Sequence, residues 1–446
     1  MSTFTSDAVA ATAGPDWLRA RRLAAFERFR AAPLPTAAEE IWRYSRIDQL
    51  DLDAFAGDLG VSQGRAGSPG PPGFPGWLSE FLAAIGPRAA LVTTVDGYLH
   101  AIDWQADADA DADADAGVEI IDLAANSGIG AGEVTGAGEL LGAVAAEVDA
   151  FGSLNLALAP SPLLVRARRR KRVASPVVIV HWVGSAGVTV APRTVIEVER
   201  EAELTVIEVV ASEKGPVLVA PVTEMAVSDA GHLDYASVQM LGDRAWQVGY
   251  QASQIGRDAT LRSVAVSLGG EYARLRTDSR IAGQGGSSEL SAVYFGTADQ
   301  MHDIRTLQDH DAPKSTSNLL FKGAVAVNAH SVYSGLIRVR KGAVGTNALQ
   351  TNRNLVLGAG AHADSVPNLE IEENEVRCNH ASAVGPIDAE QRFYLESRGI
   401  PRQVADRLIV LGFLDEVIER VPVPGPGLRE RLRAAVASKF DAIGDA

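Results

Sequence analysis

Cys378 and His380 stand two residues apart near the C-terminal end of the chain, and Cys378 is the only cysteine among 446 residues. On an extended strand, residues i and i+2 project from the same side. A thiolate and an imidazole would therefore leave one face together. That donor pair suits zinc or an iron–sulfur centre better than magnesium or calcium. It is also incomplete, since a closed site takes about four ligands, so a metal held here needs donors from elsewhere. Taken singly, each residue has a plainer role: a free cysteine commonly packs as a small hydrophobe, and a histidine commonly satisfies a hydrogen bond.

Other chemistry-bearing runs are less pointed. Met301-His302-Asp303 and Asp309-His310-Asp311 place two histidines and three carboxylates in one short segment. They form either a divalent-metal set or a polar stretch with hydrogen-bonded histidines, and no ligand spacing is diagnostic. Six of the seven residues from Arg166 to Arg172 are basic. In a chain of net charge −15, this run is expected to pair with carboxylates rather than with nucleic acid. There is no phosphate-binding Gly-x-x-x-x-Gly-Lys-Ser/Thr, no His-Glu-x-x-His, no Cys-x-x-Cys and no Gly-x-Ser-x-Gly. Gly283-Gln284-Gly285-Gly286 reads as a turn. A carbohydrate lyase would need several charged groups converging on one groove, and no such set is visible. The chain is therefore read as a non-enzyme.

The same acidic balance speaks against attachment to anionic lipid. No run approaches the ~18 apolar residues of a membrane span. The first fifteen residues lack the basic and apolar parts of a secretory leader, and one cysteine fits a reducing compartment. A cytoplasmic protein is the expectation.

The elements that must position Cys378 and His380 follow from periodicity. Residues 16–55 read as two helices. Trp17, Leu18, Ala24, Ala25 and Phe29 fall near one face of the first. Thr36 and Glu39 form a capping box for the second, which carries Ile41, Trp42 and Tyr44. From about Leu163 to Val376 the texture changes to short β-branched strands such as Val177-Val178-Ile179-Val180. Leu204, Leu233, Leu261 and Leu290 each open a strand after a polar turn, at spacings of 29, 28 and 29 residues. A fixed period in the twenties marks a solenoid rather than an antiparallel sandwich, whose turns recur about every 8–12 residues. The chain then turns helical. Asp388 caps a helix, Gly399 ends it, Pro401 opens another that Gly412 is expected to break, and residues 428–440 form the last.

These residues carry a resemblance. Leu369-Glu370-Ile371, Val376-Arg377-Cys378-Asn379-His380, Gly385-Pro386-Ile387-Asp388, Phe393-Tyr394-Leu395 and Ser397-Arg398-Gly399-Ile400 resemble the C-terminal signature of the SufB/SufD family of iron–sulfur cluster assembly scaffolds, in its SufD branch. The likeness extends to Tyr333-Ser334-Gly335-Leu336-Ile337-Arg338-Val339 and Thr346-Asn347-Ala348-Leu349-Gln350. It reappears in Trp17-Leu18, Leu34-Pro35-Thr36 and Glu40-Ile41-Trp42-Arg43-Tyr44. Asn379-His380-Ala381-Ser382-Ala383 departs from the family's Ser-His-Gly-Ala-Thr but keeps the histidine.

The resemblance implies a mainly β fold, a right-handed parallel β-helix flanked by N-terminal helices and a C-terminal helical domain. The corresponding divisions are 1–55, 56–160 with disordered loops at 56–76 and 106–116, 161–384 and 385–446. It also implies a SufB-like partner through the β-helix and a SufC-like ATPase on the C-terminal helices. A transient iron–sulfur cluster would be shared with SufB, with His380 and Cys378 as this chain's candidate metal ligands and no cluster stable in the isolated chain. Flavin involvement, and a homodimer of the isolated chain that recruits SufC without holding cluster, are left open.

Overall fold

Short β-branched runs bounded by Gly, Asp and Ser turns cannot bury both faces alone, so they stack. The computed structural model describes residues 4–55, 73–105, 117–125, 136–423 and 425–445. The Gly/Pro-rich stretch 56–76 lies mostly, and the Ala–Asp run 106–116 entirely, outside the described residues.

Two facing sheets form a parallel β-solenoid. In the first, eight strands run parallel in chain order: Val177–Val183, Glu203–Ser212, His232–Met240, Thr260–Ser267, Ser287–Gly296, Thr316–Ala326, Asn347–Leu357 and Arg377–Gly385. In the second, Leu163–Ala167, Arg193–Val198, Val222–Val227, Ala245–Ile255, Tyr272–Ile281, Met301–His310, His330–Val339 and His362–Ile371 do the same. The chain alternates between sheets, so each pair of strands makes one coil. At the start, the strand Ala90–Val95 extends the first sheet and Tyr98–Trp104 lies antiparallel beyond it. Val118–Asp122 lies antiparallel beside Leu163–Ala167. The mainly β solenoid expected from the leucine period is the fold observed.

Register shows what the leucines do. Leu204, Leu233 and Leu261 are direct cross-strand partners and fill the space between the sheets. The fourth leucine slips: Ser288 stands opposite Leu261, while Leu290 joins the adjacent inward column opposite Ser263. The turn before it is unusually tight. A Cβ on Gly283 would fall 2.0 Å from the Arg257 backbone nitrogen, and Gly285 takes φ +73°, a conformation open to glycine without cost.

Helices cover the outer faces. Gly76–Ile85, Arg402–Ile418 and Gly427–Asp441 pack Leu78, Val410, Leu414, Leu428 and Leu432 onto the first sheet. Asp16–Ala31 and Ala150–Leu158 lie on the start of the second sheet. Farther along it, Trp42 sits under Trp246, Tyr272 and Met301. Arg274 stacks on the Trp42 ring at 3.6 Å, pairs with Asp303 and donates to the Ile41 carbonyl.

Two helix expectations need correction. The segment after Thr36 forms only 3-10 turns, Glu40–Trp42, Ile47–Gln49 and Leu52–Phe55. Half of the capping box is present, with the Thr36 amide donating to Glu39, but Tyr44 takes φ +68° and no α-helix propagates through that conformation. Conversely, Gly412 does not break its helix, which runs from Arg402 to Ile418. Packing against the sheet outweighs a glycine cost of about 1 kcal/mol.

Candidate functional site at the open end of the solenoid

Among the described residues, the strand Arg377–Gly385 is the last of the first sheet and pairs on one side only, with Asn347–Leu357. His362–Ile371 is likewise the last of the second sheet. Pro367 lies within that strand, a position compatible with a sheet edge because proline has no amide to give. Strand alternation fixes what these edges present. Cys378 continues the column Leu204, Leu233, Leu261, Ser288, Ser317, Ala348, and His380 continues Val206, Tyr235, Ser263, Leu290, Leu319, Gln350. Both therefore occupy inward columns of a coil that has no successor. Leu369 and Ile371 continue the inward columns of Ile337 and Val339. They remain 37% and 44% exposed, and Val384 remains 44% exposed. These are core-column positions that no further coil covers among the described residues.

The two predicted residues differ in setting. Cys378 is half-buried and packs beside Ile337, Val339 and Ala348. Burial pushes its thiol up, against a hydrogen bond with the Ala348 backbone, so it stays protonated at neutral pH and behaves as a small hydrophobe. His380 is exposed. Directly behind it in register is Gln350, fully buried, whose side-chain amide nitrogen and oxygen have no hydrogen-bond partner among the described residues.

Polarity spreads through the last coils. Asn352 donates to the Tyr294 hydroxyl, Tyr294 donates to Asn354, and Ser382 donates to Ser365, which donates to Asn352. A polar cluster of an earlier coil surrounds Glu208, which accepts from Thr194, Thr223 and Tyr235 and lies 2.9 Å from His181. Burial pushes the Glu208 carboxyl up, but His181 and these donors outweigh it and hold it at about 2. That cluster is sealed and satisfied, a structural device rather than an open site.

The segment 301–311 does not form one constellation. His302 and His310 turn inward, to Ser267 and to Ser315 and Ser317. Asp303 and Asp309 turn outward, to Arg274 and Arg305 and to Arg340. Neighbouring residues on a strand face opposite ways, and the sequence run is split accordingly. The basic run finds carboxylates as expected: Arg166 with Glu119 and Glu197, Arg168 with Glu119, Arg170 with Glu201, Arg172 with Glu203.

One cluster escaped the sequence reading. On the outer face of the second sheet, His330 and His362 are cross-strand partners, and Asp364 stands on the same face two residues beyond His362. Asp364 Oδ2 lies 2.7 Å from His330 Nε2 and Oδ1 lies 3.3 Å from His362 Nε2. The two histidines are 32 residues apart in the chain. Their one signal was the solenoid period itself, which stacks like on like.

Comparison with known proteins identifies the family of this chain. Residues 181–413 match the family described as SUF system FeS cluster assembly, SufBD core domain. The chain is 39% identical over 301 residues to an iron–sulfur cluster assembly SufBD family protein of Mycobacterium tuberculosis, covering 66% of this chain and 73% of that one. It is 29% identical over 301 residues to the iron–sulfur cluster assembly protein SufD of Escherichia coli, covering 66% and 71%. Against SufD of Bacillus subtilis it is 26% identical over 276 residues, covering 61% and 63%. No helix among the described residues is long and apolar enough to cross a membrane.

Proposed function

We propose that this chain, which belongs to the SufBD family of iron–sulfur cluster assembly proteins, is a SufD-like scaffold subunit. Its open solenoid end closes against a SufB-like partner, and its imidazole serves a cluster built in the seam. The cluster is cargo, formed and passed on. His380 supplies one donor from this side and the partner supplies the rest. Cys378, neutral and packed into the end of the core, shapes the wall behind the imidazole and becomes a ligand only if partner binding relieves its burial.

The observation that carries this reading is the row of inward-column residues, Leu369, Ile371, His380 and Val384, left uncovered at two strand edges. A solenoid without a polar cap needs a neighbour for its terminal coil, and unpaired edges are templates for another chain. Leu369, Ile371 and Val384 are 37%, 44% and 44% exposed, so covering each of them contributes roughly 1 kcal/mol. The partner for the other end of the task is a SufC-like ATPase. The helix Ala389–Ser397 buries none of its residues. Phe393 and Tyr394 are exposed there, as are Val404 and Leu408 on the helix that follows, an apolar stripe suited to docking. In this scheme ATP hydrolysis on the helices is coupled to opening of the seam.

The test is cluster formation by the complex reconstituted anaerobically with SufB-like and SufC-like partners. His380→Ala should abolish or strongly slow it while the complex still assembles. Unchanged cluster formation would remove His380 from the mechanism. The same bare edges also fit a second copy of this chain. Light scattering on the isolated protein separates that arrangement, and a homodimer that recruits the ATPase but is indifferent to His380 would mark a pure interaction module.

A further inference from the structure

We propose that His330, His362 and Asp364 form a binding site for a divalent first-row transition ion on the outer face of the second sheet. The site is independent of the residues that serve the open end. It rests on the solenoid register and not on the proposed assembly role.

The scaffold is rigid where it matters. His330 and His362 are paired across adjacent parallel strands, and Asp364 is held on the same face by strand alternation. All three donor atoms lie within 4.8 Å of one another, and the two imidazole rings have centroids 5.1 Å apart. Ligands about 2.0–2.2 Å from one ion stand ~3.0–3.5 Å from each other, so small side-chain adjustments bring the three donors onto a common centre. His330 and Asp364 are each 24% exposed, which fixes them, whereas His362 is 67% exposed, which lets an ion reach the cluster from solvent.

The donor set selects the ion class. Two imidazoles and one carboxylate suit zinc, iron(II), cobalt(II) or nickel(II); calcium and magnesium prefer all-oxygen shells. Binding requires a free lone pair on Nε2 of each imidazole, and protons compete with the ion for these nitrogens. Affinity will therefore fall as pH drops. Three ligands leave at least one position open to water or another donor.

The experiment is anaerobic cobalt(II) titration of the full-length chain, followed by visible absorption. The expected result is one equivalent bound with ligand-field bands and without the near-ultraviolet thiolate-to-cobalt band that Cys378 would produce. Affinity should drop at least about 100-fold in His362→Ala and in Asp364→Asn, at or beyond the 10–100-fold seen when only an outer partner of a ligand is lost. It should be unchanged in His380→Ala and Cys378→Ser. His362 is largely exposed, so its replacement leaves the fold intact, and far-ultraviolet circular dichroism checks this. Cobalt affinity unmoved by His362→Ala and Asp364→Asn overturns the proposal, as does bound cobalt whose spectrum carries the thiolate band and vanishes in Cys378→Ser. Loss of cluster formation in His380→Ala with this cobalt site intact would keep the two conclusions separate.

Discussion

The two ends of the solenoid are built from the same coil and finished in opposite ways. At the start, Val177, Val178, Ile179 and Val180 are fully buried, and the sheets continue into the antiparallel strands Tyr98–Trp104 and Val118–Asp122. At the finish, every residue of Arg377–Gly385 is at least partly exposed, and inward columns end on Cys378, His380 and Val384. The interior changes as well. Leucine and valine fill the early coils, whereas Gln350, Asn352, Asn354, Ser365 and Ser382 line the last ones. A chain that only needed to fold would close both ends alike. One end is completed from within; the other leaves its inward columns part-exposed.

Removing core charge and core volume should sharpen that contrast first. Asp303 is buried between Arg274 and Arg305, whose positive charges outweigh burial and hold its carboxyl below the usual range. Asp303→Ala strands two guanidinium groups and should cost about 3–5 kcal/mol, read as a large drop in the urea midpoint. Leu261→Ala, in the filled leucine column, should cost about 2–5 kcal/mol. The chemically identical Leu369→Ala at the open end should stay within about 0.5–1 kcal/mol in the isolated chain, with its cost appearing instead in partner affinity. Equal losses for Leu261→Ala and Leu369→Ala would break the comparison.

A smaller effect concerns pH. Burial holds the His302 imidazole at about 3, with Lys439 adding to the effect, and burial holds His310 at about 4. Unfolded histidines titrate near ~6.5, so between that pH and about 4 the unfolded chain binds more protons than the native one. Stability contributed by keeping these rings neutral is complete above about pH 6.5 and is lost as pH falls through the window. Urea midpoints measured from pH 7.5 to 4.5 should decline, and His302→Asn should make the decline shallower whatever its effect on the absolute midpoint. An unaltered slope would contradict the sealed setting of His302.

Much of this was legible in residue order because a solenoid writes its register as a period. Leu204, Leu233 and Leu261 stack as their spacing implies, and Cys378 and His380 share a face because strands alternate. Leu290 misled by two positions, since the glycine turn at 283–286 shortens one coil. The short stretch around Trp42 reads as helix on pattern alone. Its real partners, Arg274 and Tyr272, lie more than 200 residues away, and only the folded sheet supplies them. The His330–His362–Asp364 cluster was invisible for the same reason, since its members meet across a coil. That Leu369 and Ile371 stay uncovered cannot be read from an apolar strand pattern either, because the pattern is that of any core strand.

The most direct test of the open end is amide hydrogen exchange of this chain, alone and with a SufB-like partner. The expected result is that amides of His362–Ile371 and Arg377–Gly385 become protected on complex formation, while those of Val177–Val183 are equally protected in both states. Complex formation that leaves the two terminal strands exchanging as fast as before, with protection appearing elsewhere, would contradict it.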